Sequence, residues 1–124
     1  MGYALVFLGG GLGAALRHGV NRAALALFGP AIPAGTIIVN VVGSLAMGLL
    51  IGILAAVPGG TSQNLRLFVA TGVLGGFTTF SAFSLDALTL WERGQSAAAI
   101  AYVVGSVALS LAAIAAGFLL SRAL

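Results

Sequence analysis

Apolar positions in this chain do not alternate with polar ones as they do on a strand or on one face of a helix. They run on almost unbroken, and clusters of turn residues cut the runs. Gly29-Pro30 and Pro33 end one apolar segment, Pro58 to Ser62 end a second, and Glu92-Arg93-Gly94-Gln95 end a third. The intervening runs predict four helices, at about residues 3–28, 34–57, 65–91 and 96–120. No charged side chain occurs from Ala23 to Leu65 or from Gly94 to Ser121, and each stretch exceeds the ~20 residues with which a helix spans a bilayer. Lipid admits only helices or closed barrels, and these runs are too long and continuous for barrel strands. The expected fold class is an all-α integral membrane protein, a single transmembrane domain over residues 1–124 with four transmembrane helices.

Composition supports lipid as the solvent. The chain is 60% hydrophobic and 6% charged, where a soluble domain carries about 25% charged residues. Its mean hydropathy is +1.19. The net charge of +3 does not suggest a nucleic-acid partner, because the arginines are scattered and form no patch that would neutralise successive phosphates. With no cysteine there is neither a disulfide framework nor a thiolate metal site. The N-terminus lacks a basic n-region, so its first apolar stretch is expected to be a mature helix.

Orientation depends on the loop charges. Four spans place both termini and the second loop on one side, with Arg66 and Arg122; Arg22 and Arg93 lie on the other. That balance gives no positive-inside preference. The expectation is dual topology, with copies of opposite orientation pairing as an antiparallel homodimer. Two chains would then form what larger transporters build from fused inverted repeats.

The chemistry lies in polar residues that an apolar slab should reject. At i, i+4 spacing, which shares one helix face, helix 1 carries Gly9, Gly13, Arg17 and Asn21. Helix 2 carries Thr36, Asn40, Ser44, Gly48 and Gly52, and helix 4 carries Tyr102, Ser106 and Ser110. The glycine pairs are explained by close helix packing. Lone Ser and Thr can bond their own backbone. Asn40 has two donors and a carbonyl that lipid cannot satisfy, so it faces either another helix or a polar pathway. Arg17, near the middle of helix 1, either snorkels to a carbonyl or lines an anion-attracting vestibule.

Helix 3 holds Gly75-Gly76-Phe77-Thr78-Thr79-Phe80-Ser81-Ala82-Phe83-Ser84. Glycine weakens a helix, and Thr or Ser caps a new one, so a break is expected near 75–79. It would free carbonyls that attract a cation and N–H groups that attract an anion. In an antiparallel pair the carbonyls of two copies can converge on one cation. Phe80 and Phe83 share a face just after the break, and aromatic rings present positive edges.

These strings, with Gly10-Gly11-Leu12-Gly13-Ala14-Ala15-Leu16-Arg17 in helix 1 and Gly35-Thr36-Ile37-Ile38-Val39-Asn40-Val41-Val42-Gly43-Ser44 in helix 2, resemble the small fluoride channels of the Fluc or CrcB type. The resemblance covers essentially the whole chain. Asp86 stands where the family often has Glu. The resemblance implies a fluoride-selective passive channel of the plasma (inner) membrane that exports fluoride through two antiparallel pores of a dual-topology homodimer. It implies fluoride passing Asn40, Phe80 and Phe83, a polar track through Ser81, Ser84, Tyr102, Ser106 and Ser110, and Thr36 and Arg17 toward the vestibule. It further implies a structural, non-transported Na⁺ held by the backbone carbonyls of Gly75 and Thr78 from both subunits.

Two other readings fit less well. A small dual-topology multidrug exporter needs a membrane-embedded carboxylate, and the only acids are Asp86 and Glu92. An enzyme reading would start from Gly9-Gly10-Gly11-Leu12-Gly13-Ala14, but the strand before a dinucleotide fingerprint and the acid ~20 residues after it are missing. His18 stands alone, so no catalytic constellation is expected.

Overall fold

The computed structural model describes residues 1–59 and 62–124. All regular structure among the described residues is helical: α1 (Gly2–Phe28), α2 (Ala34–Ala55), a compound helix α3, then α4 (Ser81–Glu92) and α5 (Ser96–Arg122). Helix α3 opens as Gln63–Arg66, widens into a π-helix over Leu67–Leu74 and ends in one α-turn, Gly75–Phe77. Gly60 and Thr61 of the second breaker cluster lie outside the described residues.

The elements end where the sequence loses its ability to continue them. Gly29 closes α1 in the left-handed region at φ 75°, and its N–H bonds to Leu25 C=O. Ser62 opens α3, its side chain accepting from Leu65 N–H at 3.2 Å. Gly94, at φ 77°, turns the chain from α4 into α5.

Three spans are long and apolar enough to cross a bilayer: α2, the stretch Gln63–Glu92 that contains α3 and α4, and α5. The chain is an α-helical membrane protein. Helix α1 has the length, 27 residues, but falls short in apolarity because Arg17, His18, Asn21 and Arg22 interrupt it.

Two glycine seams hold the helices. A Cβ on Gly9 would sit 3.0 Å from Gly72 Cα, and one on Gly76 would sit 3.0 Å from Gly10 Cα, so α1 lies backbone to backbone against α3. A Cβ on Gly48 would sit 2.9 Å from Phe118 N, and one on Gly117 2.9 Å from Leu49 N, joining α2 to α5. Between lipid-soluble helices no hydrophobic force draws apolar faces together, so such close dispersion contacts carry the packing. The buried cluster Phe83, Leu90, Ala99 and Tyr102 joins α4 to α5. Many large apolar side chains remain exposed, as suits a surface that meets lipid or another chain.

Candidate functional site: the helix break and its cavities

The expected break is present, slightly later than the glycine pair. Gly75 and Gly76 are still helical, and the chain leaves the helix at Thr78, which is extended at φ −86°, ψ 160°. Helix α4 then starts at Ser81. Thr79 caps it, its Oγ1 accepting from Ala82 N–H at 3.1 Å and lying 3.3 Å from Ser81 Oγ.

Asn40 reaches this break from α2. Its Oδ1 accepts from Thr79 N–H at 2.8 Å, and its Nδ2 donates to Thr79 C=O at 3.0 Å. The carboxamide thus pairs with one residue's backbone as a neighbouring strand would. The reverse amide orientation would oppose donor to donor and acceptor to acceptor. One Nδ2 hydrogen remains outside the pair.

This pairing bears on the two carbonyls expected to hold a cation. In an unbroken helix Gly75 C=O would accept from Thr79 N–H, and Thr78 C=O from Ala82 N–H. Here Thr79 N–H goes to Asn40 and Ala82 N–H to the Thr79 hydroxyl. Both carbonyls are released from their helical donors, which fits hard oxygen ligation of a cation such as Na⁺. No cluster of acidic, His or Cys residues suited to a metal occurs among the described residues.

Two cavities adjoin the break, and another lies between the α1–α2 loop and α4. The first, of about 480 Å³, brings together Asn40, Phe80, Phe83, Ser106 and Ser110, with Gly75 and Thr78 on its wall. Phe80 and Phe83 stand 5.4 Å apart, tilted by 56°. Phe83 is 8% exposed and Phe80 77%, so one ring is fixed in the chain while the other stands free of it. Ser106 Oγ is buried and has no hydrogen-bond partner among the described residues. Its neighbour in the ladder, Tyr102, lies outside these cavities. Tyr102 packs on Phe83 with ring centroids 5.3 Å apart and donates to Asp86 Oδ2 at 2.8 Å.

A second cavity, of about 360 Å³, holds Thr36, Asp86, Asn21 and Arg93. The third, of about 490 Å³, holds Arg17, His18, Asn21, Thr79 and Ser81. Arg17 therefore lines a polar recess beside the break. Ser84 lines none of the three: it is exposed and gives its hydroxyl to its own helix, at Phe80 C=O, 3.0 Å away. Sequence reasoning missed Thr79 as the hub of the break and Asp86 as the Tyr102 acceptor. The only signal for Asp86 was an acid inside an otherwise uncharged run.

Residues 4–118 match the family described as CrcB-like protein, Camphor Resistance (CrcB). The chain belongs to the CrcB-like family. Among similar CrcB-like proteins is the fluoride-specific ion channel FluC of Rhodopseudomonas palustris (strain BisB5), 56% identical over 124 residues, covering 100% of this chain and 99% of that one. The FluC of Methylobacterium nodulans is 59% identical over 118 residues, covering 95% and 94% respectively. That of Paracoccus denitrificans is 57% identical over 119 residues, covering 96% and 93%.

Proposed function

We propose that this chain is a fluoride-selective passive channel that lets cytoplasmic fluoride leave the cell across the plasma membrane. The observation that carries the reading is the buried, partnerless hydroxyl of Ser106 on a mainly apolar cavity that also gathers Asn40, Phe80 and Phe83. A buried hydroxyl without a partner is costly, and a small anion accepts the hydrogen bond that the protein does not. The channel names of relatives matching nearly the full chain supply the ion.

In this reading the chain spans the bilayer four times, with α1 shielded by the partner and by the glycine seam. Copies of opposite orientation form an antiparallel homodimer with two pores. The exposed Phe80 is completed by the second subunit. Fluoride collects beside Arg17, passes Asn40 and the ring edges of Phe80 and Phe83, and follows Ser106 and Ser110, with Thr36 and Ser81 at the flanking recesses, Tyr102 behind Phe83 and Ser84 at the periphery. Ring edges and single hydroxyls hold an ion well enough to admit it and weakly enough to release it. The Gly75 and Thr78 carbonyls of both subunits would hold a structural, non-transported Na⁺, whose charge stabilises the joined breaks. An inside-negative potential drives anion exit by about 2.3 kcal/mol per 100 mV, so no energy-coupling site is required.

Fluoride-electrode efflux from proteoliposomes, with chloride as control, tests the function; a fluoride gradient left intact by correctly assembled protein defeats it. A reporter on the C-terminus tests topology, since signal from one side only excludes dual orientation. Ser106→Ala separates ion contact from packing. It removes an unsatisfied group, so stability should hold or rise by about 1 kcal/mol, while fluoride efflux falls several-fold. A destabilised protein with unchanged efflux would assign Ser106 to packing.

A further inference from the structure

We propose that Asn40 is a positioning residue, whose carboxamide holds the helix break open by replacing the Gly75 carbonyl as the acceptor of Thr79 N–H. The inference rests on the channel reading but extends it, because the side chain expected to touch the ion is already engaged with the backbone.

Three observations support it. The two bonds between Asn40 and Thr79, at 2.8 and 3.0 Å, use the side chain's only oxygen and one of its two N–H groups. Thr79 is buried at 8% exposure, so its peptide groups need protein partners once the helix is interrupted. Thr79 also precedes Phe80 directly and caps α4 through Ala82 N–H, so its backbone position sets where the Phe80 and Phe83 rings begin. Without the carboxamide, Thr79 N–H can return to Gly75 C=O. The helix would then continue through the break, withdraw that carbonyl and rotate the rings out of the cavity.

A direct ligand and a brace respond differently to Asn40→Asp. The ionised carboxylate still accepts from Thr79 N–H but faces Thr79 C=O with a second acceptor, so the brace is half broken and repulsive. The protonated acid restores both bonds, accepting with C=O and donating with O–H. It has no further hydrogen for an ion. Burial and the opposing carbonyl both raise the introduced acid's pKa.

The test is fluoride efflux by Asn40→Asp relative to wild type, with protein-free vesicles subtracted for leakage of HF, from about pH 7.5 to about pH 5.5. The expected result is efflux that is lost at the alkaline end and recovers about tenfold or more toward the acid end, with wild type flat over the same range. Efflux that stays lost throughout overturns the brace in favour of direct ligation. Efflux equal to wild type throughout shows that neither role is needed and also overturns it. Amide exchange of Thr79 in the wild-type protein gives an answer independent of transport. The N–H is expected to be protected, and exchange as fast as in an unstructured peptide overturns the proposal. A wild-type protein that moves no fluoride defeats the channel reading alone, since the exchange result stands apart from it.

Discussion

Phe80→Ile should abolish fluoride efflux while the protein still purifies as a folded, monodisperse species. Phe80 is 77% exposed within its own chain, so shortening it removes little intrachain packing, and such substitutions usually shift stability by less than about 0.5 kcal/mol. What is lost is the ring. In the proposed pathway its edge supplies partial positive charge to the cavity that Phe80 lines with Asn40, Ser106 and Ser110. Isoleucine fills much of the space with no such charge. Fluoride binds water strongly, and a dehydrated ion needs every compensating contact along its path. Removing one preorganised electrostatic contact costs about 10²–10³-fold in other sites that stabilise an anion, and a loss on that scale is expected here. Efflux and size-exclusion behaviour measured on the same preparation decide it: normal efflux removes Phe80 from the path, and an aggregated protein makes it a packing residue. Phe83, 8% exposed and packed at a tilt against Tyr102, is the contrasting case, because its replacement disturbs the α4–α5 core as well as the cavity.

The sequence showed that a break would occur and what it would be made of, because Gly, Thr and Ser inside an apolar run have few other uses. It did not show the position to the residue. The glycines were expected to interrupt the helix, yet Gly76 remains helical and serves close approach to Gly10. The interruption falls on Thr78 and Thr79, where one hydroxyl donates to Leu74 C=O and the other accepts from Ala82 N–H. The π-helical turns of Leu67–Leu74 carry no signal in their composition, which suits an ordinary α-helix. A side chain at Gly75 would meet no crowding within the chain, since a Cβ there meets only Ala70 O at 3.6 Å. Its effect would report on what packs against the break from outside. The helix 4 ladder was legible as a face, but Tyr102 gives its hydroxyl to Asp86, a tertiary pairing across 16 positions that periodicity cannot reveal. Helix 1 was read as a span from its apolar run, closed by Gly29-Pro30. Its cluster of polar residues lowers its apolarity below that of the other three spans, and the same cluster lines the recess around Arg17.

Gly13→Val should unfold the protein or prevent its assembly, with a loss of about 3 kcal/mol or more. A Cβ on Gly13 would enter the space of the Val73 carbonyl and come 2.8 Å from Phe77 N. Both are backbone atoms of α3, and no rotamer change can move them. The two helices must separate along a seam where Gly9 and Gly76 make similar approaches. Dispersion between close backbones is the main attraction in this apolar setting, so a separation of a fraction of an ångström forfeits much of it. Phe77 is the last residue of α3 before the break, so any displacement passes directly to Thr78, Thr79 and the Asn40 pair. Gly11→Val is the control, because a Cβ there meets nothing within 4 Å. It carries the same helix-propensity change with none of the crowding. Thermal melts in detergent should separate the two variants, with Gly11→Val close to wild type. If Gly13→Val melts with Gly11→Val and conducts normally, the backbone seam does not hold the break, and the geometry of the site must be fixed elsewhere.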